Sequence, residues 1–310
     1  MVTRRLSYYH FGRKALKKRL TILVAEIARL RTKNDPEAIH DMRVASRRFH
    51  AAAQIFSDCL TGSVLTECEQ HVRRLRKSAG AVRDGDVQRL FVERLLKKST
   101  PRRYHQGLQR LALRLSQRRK KQYKKILNVI DNFEKSGVVE KMKRALSLPL
   151  PTRRSTVTLR QRAAQGIASH LSSLLSFEQY VHQSSALDKL HQMRIAAKRL
   201  RYVMEIFNPA YGGALKPYIR ITRAIQDSLG EMHDCAVWLE SLPSFLEKER
   251  TRTEKFFGDT SSFPGIERGI LYFADAVQRE KAKQYRAFVR LWKHTEQTHT
   301  WSKLKTLVAK

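Results

Sequence analysis

Residues 40–50 read HDMRVASRRFH, and residues 191–201 read HQMRIAAKRLR. Both stretches begin with His-x-x-Arg. Because successive residues of an α-helix advance by about 100°, positions i, i+3, i+7 and i+10 lie on one helix face. The side chains at these positions form two basic stripes: His40, Arg43, Arg47 and His50, and then His191, Arg194, Lys198 and Arg201.

The face opposite each stripe is apolar, which predicts two helices that bury one side and expose the other. We expect the stripes to lack acidic partners at i+4, which would neutralise them on their own helix. The apolar positions are Met42, Ala45, Phe49, Ala52 and Phe56, and then Met193, Ala196, Leu200, Val203 and Phe207.

The composition favours a folded protein with an anionic partner. The chain of 310 residues has 62 Lys and Arg against 28 Asp and Glu, a formal charge of +34. Such a charge repels itself in a compact state, and a polyanion would relieve the repulsion. A hydrophobic content of 42% is enough for a core and argues against a disordered basic tail.

Other features of the sequence argue against several classes of protein. The cysteines Cys59, Cys68 and Cys235 have neither the spacing of a zinc site nor the density of a disulfide scaffold. We expect buried thiols in a reducing cytoplasm. No apolar run approaches the length of a membrane span, and the N-terminal residues do not resemble a secretory signal. The sequence therefore predicts a cytoplasmic protein that does not span a membrane.

The spacing of apolar residues predicts an all-α fold, with glycine and proline mainly between helices. The first helix is predicted from Tyr8 to Arg31. The second starts with Asp35 as its cap and Pro36 in its first turn, and continues to Asp58. The predicted third and fourth helices cover about 63–98 and 101–133.

Several motifs occur twice in the same order, which predicts an internal tandem duplication. Arg73 matches Arg223, residues 80–84 match 230–234, and residues 121–124 match 283–286. A proline-rich linker at 148–157 separates a first half, 1–147, from a second half, 158–310. We expect two four-helix bundles packed about a pseudo-two-fold axis, with both stripes facing a basic central groove or pore.

Phosphate is the anion that the stripes suit best, because arginine pairs bidentately with its oxygens and lysine acts as a movable charge. Neighbouring cations are expected to lower the pKa values of His40 and His191 in the free protein. Cations on later helices are candidates for the same site, with ordinary solvent-exposed charges as the alternative. These are Arg73, Arg223, Lys121, Lys124, Lys283 and Arg286.

Two repeated pairs have structural interpretations. Tyr123 and Tyr285 are expected to pack in the core or at its rim. Asp84 and Asp234 each follow a glycine by four residues, where we expect a long helix to break and restart, with each aspartate as a helix N-cap. The alternative is that each aspartate orients a neighbouring arginine.

The sequence offers little support for catalysis. It has no phosphate-binding GxxxxGK[ST] loop and no zinc spacing, so we expect no metal and no cofactor. Glu67 and Glu69 are the nearest approach to paired carboxylates and are expected on an ordinary helix face. His40 and His191 have the chemistry of an acid, a base or a phosphoacceptor, but binding phosphate requires fewer assumptions.

The HxxRVxxRR pattern of residues 40–48 and the HxxRIxxKRLRY pattern of residues 191–202 closely resemble the CHAD family, named for its conserved-histidine α-helical domain. The resemblance extends from about Ser7 to about Lys293. It implies two four-helix bundles around a basic groove that binds long-chain inorganic polyphosphate without chemistry, and association of bacterial members with polyphosphate granules. Some relatives carry a triphosphate-tunnel domain with an ExExK strand, which this sequence lacks. The positions carried over are His40, Arg43, Arg47, Arg48, His191, Arg194, Lys198 and Arg201.

The sequence thus predicts a non-catalytic polyphosphate-binding protein, with inositol polyphosphates as related ligands. The two motif copies differ at their last position, which is His50 in the first and Arg201 in the second. Arg199 is the remaining candidate binding residue. The alternative function is nucleic-acid binding, because a protein this basic binds RNA or DNA at low salt. A third hypothesis is a phosphohydrolase or phosphotransferase that uses His40 or His191.

Overall fold

The computed structural model describes residues 8–60, 62–98, 100–149 and 158–309, and these residues form ten α-helices and no strand. The all-α prediction is confirmed. The helices before the predicted linker are α1 (Tyr8–Thr32), α2 (Pro36–Ile55), α3 (Val64–Lys97), α4 (His105–Lys135) and α5 (Val138–Ser147). Those after it are α6 (Leu159–Leu175), α7 (Leu187–Phe207), α8 (Lys216–Phe257), α9 (Phe263–Gln297) and α10 (Thr300–Ala309).

The start of α2 follows from its sequence. Asp35 is the N-cap, and its carboxylate accepts a hydrogen bond from the backbone N–H of Ala38 at 2.6 Å, while Pro36 occupies the first turn. The end of α2 was predicted too late, because residues 57–59 turn into a short 3₁₀ helix. Another 3₁₀ turn at 102–104 delays the start of α4.

The prediction of four helices in each half is wrong, because the described residues form five on either side of the predicted linker. Gly137 adopts a left-handed conformation, with φ of 64°, between α4 and α5. Helix α5 then buries Val138 and Met142, and α10 buries Trp301 and Leu304. Helix α5 packs against α3, and α10 packs against α6 and α9.

The two halves share their core. Helix α2 packs against α7, and α4 packs against α9, so the main hydrophobic cluster contains residues from both halves. A second cluster joins the far ends of α3 and α4 to α8 and α9, with Phe91 and Leu108 packed near Trp238 and Phe273. The domain boundaries stay a prediction, and residues 150–157 of the predicted linker lie outside the described residues.

Candidate functional site

Helices α2 and α7 bury the predicted apolar faces completely. All ten apolar positions opposite the stripes are buried, with Met42, Phe49, Met193 and Leu200 at 0% exposure. Because α2 and α7 also pack against each other, their burial fixes the direction in which the basic faces point.

The stripes of α2 and α7 lie close enough for the charges of one to act on the other. The central members, Arg43, Arg47, Arg194 and Lys198, are half-buried, and we call them the stripe cluster. Burial lowers the pKa of Arg47, and Arg43 and Arg194 lower it further. Burial lowers the pKa of Lys198 to about 8, with further contributions from Arg194 and Arg47. Cations of one half therefore weaken the charged state of cations in the other.

Two arginines of α3 that the sequence interpretation missed belong to the same environment. Burial lowers the pKa of Arg76, and the charges of Arg73 and Arg43 lower it further. The pKa of Arg83 is also lowered, first by burial and then by Arg43, with nearby carboxylates opposing. A sequence signal existed for both, since Arg76 follows Arg73 by one helical turn and Arg83 lies inside the repeated motif at 80–84.

Asp84 and Asp234 lie within helices and are not N-caps, so that prediction is wrong. Helices α3 and α8 continue through both positions, because packing along these long helices outweighs the weak propensity of their glycines. Asp84 instead accepts a hydrogen bond from Arg43 at 2.9 Å, in agreement with the alternative role of orienting an arginine. Burial and the nearby Asp84 raise the pKa of Asp234 to about 6, against the pull of Arg194.

His40 and His191 have depressed pKa values, as expected, although burial is the largest cause. Burial lowers the pKa of His40, and Arg83 adds to the effect. Burial, Arg194 and then Lys198 lower the pKa of His191. The Nδ1 atom of His191 lies 3.1 Å from the Nδ1 atom of His233, whose pKa falls to about 4 through burial and then the charge of His191.

One end of the site is built around Glu205 of α7. Its carboxylate accepts hydrogen bonds from Arg201 at 2.6 Å and from Arg48 at 3.2 Å, and Arg223 lies 3.5 Å away. The expected absence of acidic partners at i+4 is therefore wrong for Arg201. In the first half the corresponding acid comes from α3, where Glu69 bonds His50 at 2.8 Å.

The remaining candidate cations are exposed. Arg73 and Arg199 flank the stripe cluster, since Arg73 contributes to the lowered pKa of Arg76 and Arg199 to that of Lys198. Over the described ranges, no hydrogen bond or ion pair joins the four candidates on α4 and α9 to a stripe residue. These are Lys121, Lys124, Lys283 and Arg286.

The other sequence predictions concern packing, and most are confirmed. The hydroxyls of Tyr123 and Tyr285 donate to the carbonyls of Leu30 at 2.8 Å and of Val181 at 3.1 Å. All three cysteines are buried free thiols, with pKa values raised to about 12 mainly by burial. Glu67 pairs with Lys141 across to α5 at 2.8 Å.

No group of three or more His, Cys, Asp or Glu side chains in the described residues is placed to hold a metal ion. None of the helices described is both long and apolar enough to span a membrane.

Comparison with known proteins identifies the fold. The CHAD domain from the plant Ricinus communis is 20% identical over 92% of each chain, with a TM-score of 0.63. PptA from Streptomyces chartreusis is 15% identical over 93% of this chain and 99% of that chain, with a TM-score of 0.68. No curated protein matches the sequence. The family model of the CHAD domain matches residues 14–243, a range that includes both stripes, and the chain therefore belongs to the CHAD domain family.

Proposed function

We propose that this protein binds inorganic polyphosphate at the stripe cluster without catalysing a reaction on it. The observation that carries the proposal is the convergence of Arg43 and Arg47 from α2 with Arg194 and Lys198 from α7. Burial, and then repulsion among these cations, lowers the pKa values of Arg47 and Lys198. A polyanion between the two helices would replace that repulsion with attraction.

The chemistry of the cluster suits a chain of linked phosphates. The arginine forks pair bidentately with phosphate oxygens, and Lys198 supplies a point charge. An approaching anion favours the protonated form of Lys198 and restores its full charge. Cations supplied by two helices contact successive phosphates of one flexible chain, so a long ligand gains from both stripes at once.

Further parts of the proposal concern the setting in which the protein acts. The protein is cytoplasmic, with polyphosphate granules as one place of action, and inositol polyphosphates compete for the same cations. His40 and His191 assist binding as phosphate ligands and do not become phosphorylated. Incubation with radiolabelled polyphosphate, followed by a search for label on either histidine, tests this last point.

The main experiment reverses the four cations of the stripe cluster to glutamate. Affinity for fluorescent long-chain polyphosphate and for single-stranded RNA is measured at about 0.15 M salt and again at low salt. A protein that starts at +34 remains strongly basic after the change. We expect polyphosphate affinity to fall by about a hundredfold or more, while weak binding of RNA at low salt persists.

A matched control reverses four exposed cations near the far ends of α8 and α9: Lys248, Arg250, Lys255 and Arg268. This control has the same net charge as the test variant but an intact stripe cluster, so it should keep its polyphosphate affinity. Equal, modest losses of both ligands in the two variants would contradict a dedicated site. Tighter binding of RNA than of polyphosphate by the parent protein would favour the nucleic-acid alternative.

A further inference from the structure

Glu205 lies in an unusual excess of arginine. Its side chain is only 13% exposed, and both carboxylate oxygens are engaged, one by Arg48 at 3.2 Å and the other by Arg201 at 2.6 Å. Arg223 approaches the second oxygen at 3.5 Å. A single carboxylate with three arginine partners leaves a surplus of two positive charges.

A fourth arginine increases the surplus. The charges of both Glu205 and Arg48 act on the pKa of Arg19, a residue of α1. Its Nε atom is buried and has no hydrogen-bond partner. A buried donor without an acceptor is costly, and an anion with more oxygens than one carboxylate would remove that cost.

The arginine excess is specific to this end of the site. In the first half, the position that matches Glu205 is Gln54, which shares its acidic partner Glu69 with His50. The position that matches Arg19 is His170, and the one that matches Arg48 is Arg199. Four arginines, two from each half, therefore surround Glu205, whereas the matching positions hold His50, Arg73, His170 and Arg199, with Gln54 in place of the acid.

The Glu205 arginines also adjoin the stripe cluster. Arg48 follows Arg47 in sequence, and Arg201 contributes to the lowered pKa of Arg47. Arg201, Arg223 and Arg47 all act on the carboxyl of Asp227. A phosphate chain bound at the stripe cluster therefore has this second group of arginines within reach of its next units.

We infer that Arg19, Arg48, Arg201 and Arg223 form a second phosphate subsite, in which the Glu205 carboxylate is a built-in competitor that the incoming phosphate displaces. This inference rests on the proposed function. Glu205 holds the arginines in place in the free protein and reduces the potential that attracts the ligand. The affinity for polyphosphate is therefore lower than the arginines alone would give.

The test is Glu205→Gln, which keeps an oxygen that accepts from Arg201 and removes only the charge. Affinity for fluorescent long-chain polyphosphate is measured over a range of salt concentrations. We expect about fivefold tighter binding near physiological salt, from one unit charge several ångströms from the ligand. The slope of log affinity against log salt should become steeper by about one, because one more ligand charge is neutralised by the protein.

The matched control is Glu134→Gln. Glu134 pairs with Arg31 through both oxygens on an exposed surface of α4, so the change has the same charge and similar chemistry away from the stripes. We expect no change in affinity. Unchanged or weaker binding by Glu205→Gln, with the parent protein still binding, would overturn the inference and make Glu205 a positioning residue. Failure of the parent protein to bind would instead contradict the proposed function.

A second variant keeps the inference testable if Glu205→Gln folds poorly. Arg223 is 52% exposed, so Arg223→Gln should fold normally. We expect about fivefold weaker polyphosphate binding, compared with no change for Arg268→Gln, an exposed arginine on α9. Equal affinity of these two variants would show that the Glu205 arginines do not contact the ligand.

Discussion

Individual side chains of the two stripes are held in electrostatic states that an anion would improve. The pKa values of His40 and His191 are lowered in the free protein, which means that the folded protein resists protonating them. Phosphate oxygens favour the protonated imidazole and raise the same pKa values. Binding and protonation of the histidines are therefore coupled.

The first prediction at the residue scale is proton uptake on binding. Affinity for polyphosphate should increase as pH falls through the window between the bound and the free pKa values, and then level off. Titration calorimetry in two buffers with different ionisation heats measures the uptake. At about pH 6, where Lys198 with its pKa of about 8 is already protonated, the double change of His40 and His191 to Gln should remove most of it, while Asp234→Asn measures any contribution from that carboxyl. Undiminished uptake in the histidine variant would assign both side chains to packing.

A second prediction concerns the carboxyl of Asp234, whose folded pKa is raised to about 6. A raised pKa means that the ionised form is unfavourable in the folded state. The folded state therefore loses stability as pH rises from the pKa of the unfolded chain through about 6. Asp234→Asn should stabilise the protein at pH 8 by about 1 to 3 kcal/mol, with a smaller gain at pH 5. Urea unfolding measures both values.

The control for Asp234 is Glu254→Gln, which removes the same charge from an exposed position near the end of α8. Its effect on the free energy of unfolding should stay within about 0.5 kcal/mol. An equal gain in both variants would mean that net charge, and not the half-buried position of Asp234, limits stability.

At the scale of helices, α4 and α9 approach each other through glycine. A Cβ atom on Gly107 would lie 2.2 Å from the carbonyl oxygen of Ile266 and 2.7 Å from the Cα of Gly269. Both contacts are with backbone, which cannot move without displacing α9. The close approach lets the second core cluster form between the halves.

The prediction for these helices is that Gly107→Ala destabilises the protein by about 2 to 4 kcal/mol, measured by urea unfolding. The control is Gly85→Ala in the interior of α3, where the nearest atom to a Cβ is 4.0 Å away. That change should stabilise by about 0.5 to 1 kcal/mol, since alanine is the better helix former. Destabilisation of the same size at both positions would contradict a specific role for the crossing.

Helices were predictable from sequence where an apolar face is clearly distinct from a polar face. The apolar periodicity of α2 and α7 gave their buried faces correctly, and Asp35 with Pro36 marked the start of α2. The short helices α5 and α10 were missed, because ten residues contain less than three turns of pattern. The N-cap prediction for Asp84 was wrong because a local glycine signal carries no information about packing along a helix of 34 residues.

The candidate site was predictable only in its local part. The stripes follow from spacing within one helix, and their convergence follows from the packing of α2 against α7. Contacts between halves, such as that of Arg48 with Glu205 at 3.2 Å, depend on tertiary geometry that sequence separation conceals. Arg19 lies outside every motif, and only the fold brings it beside Arg48.

For the molecule as a whole, the charge of +34 opposes the packing of two basic halves. The two core clusters that both halves share and the close α4–α9 crossing hold the halves together against this repulsion. A ligand that touches both stripes therefore acts on the stability of the entire fold. Single phosphate ions cannot contact both stripes at once, so they gain none of the affinity that comes from joining the phosphates in one chain.

The prediction at this scale is thermal stabilisation that depends on chain length. A ligand that binds only the folded state at a hundredfold excess over its Kd stabilises it by about 2.7 kcal/mol. For a protein of this size that energy raises the melting temperature by about 4 °C. Long-chain polyphosphate should produce this shift, measured by scanning calorimetry, while the same concentration of phosphate units as orthophosphate should not. The stripe-cluster variant controls for general polyanion effects and should show no shift with either ligand. Equal shifts from the two ligands in the parent protein would mean that α2 and α7 bind separate anions, and that the two stripes do not act on one chain.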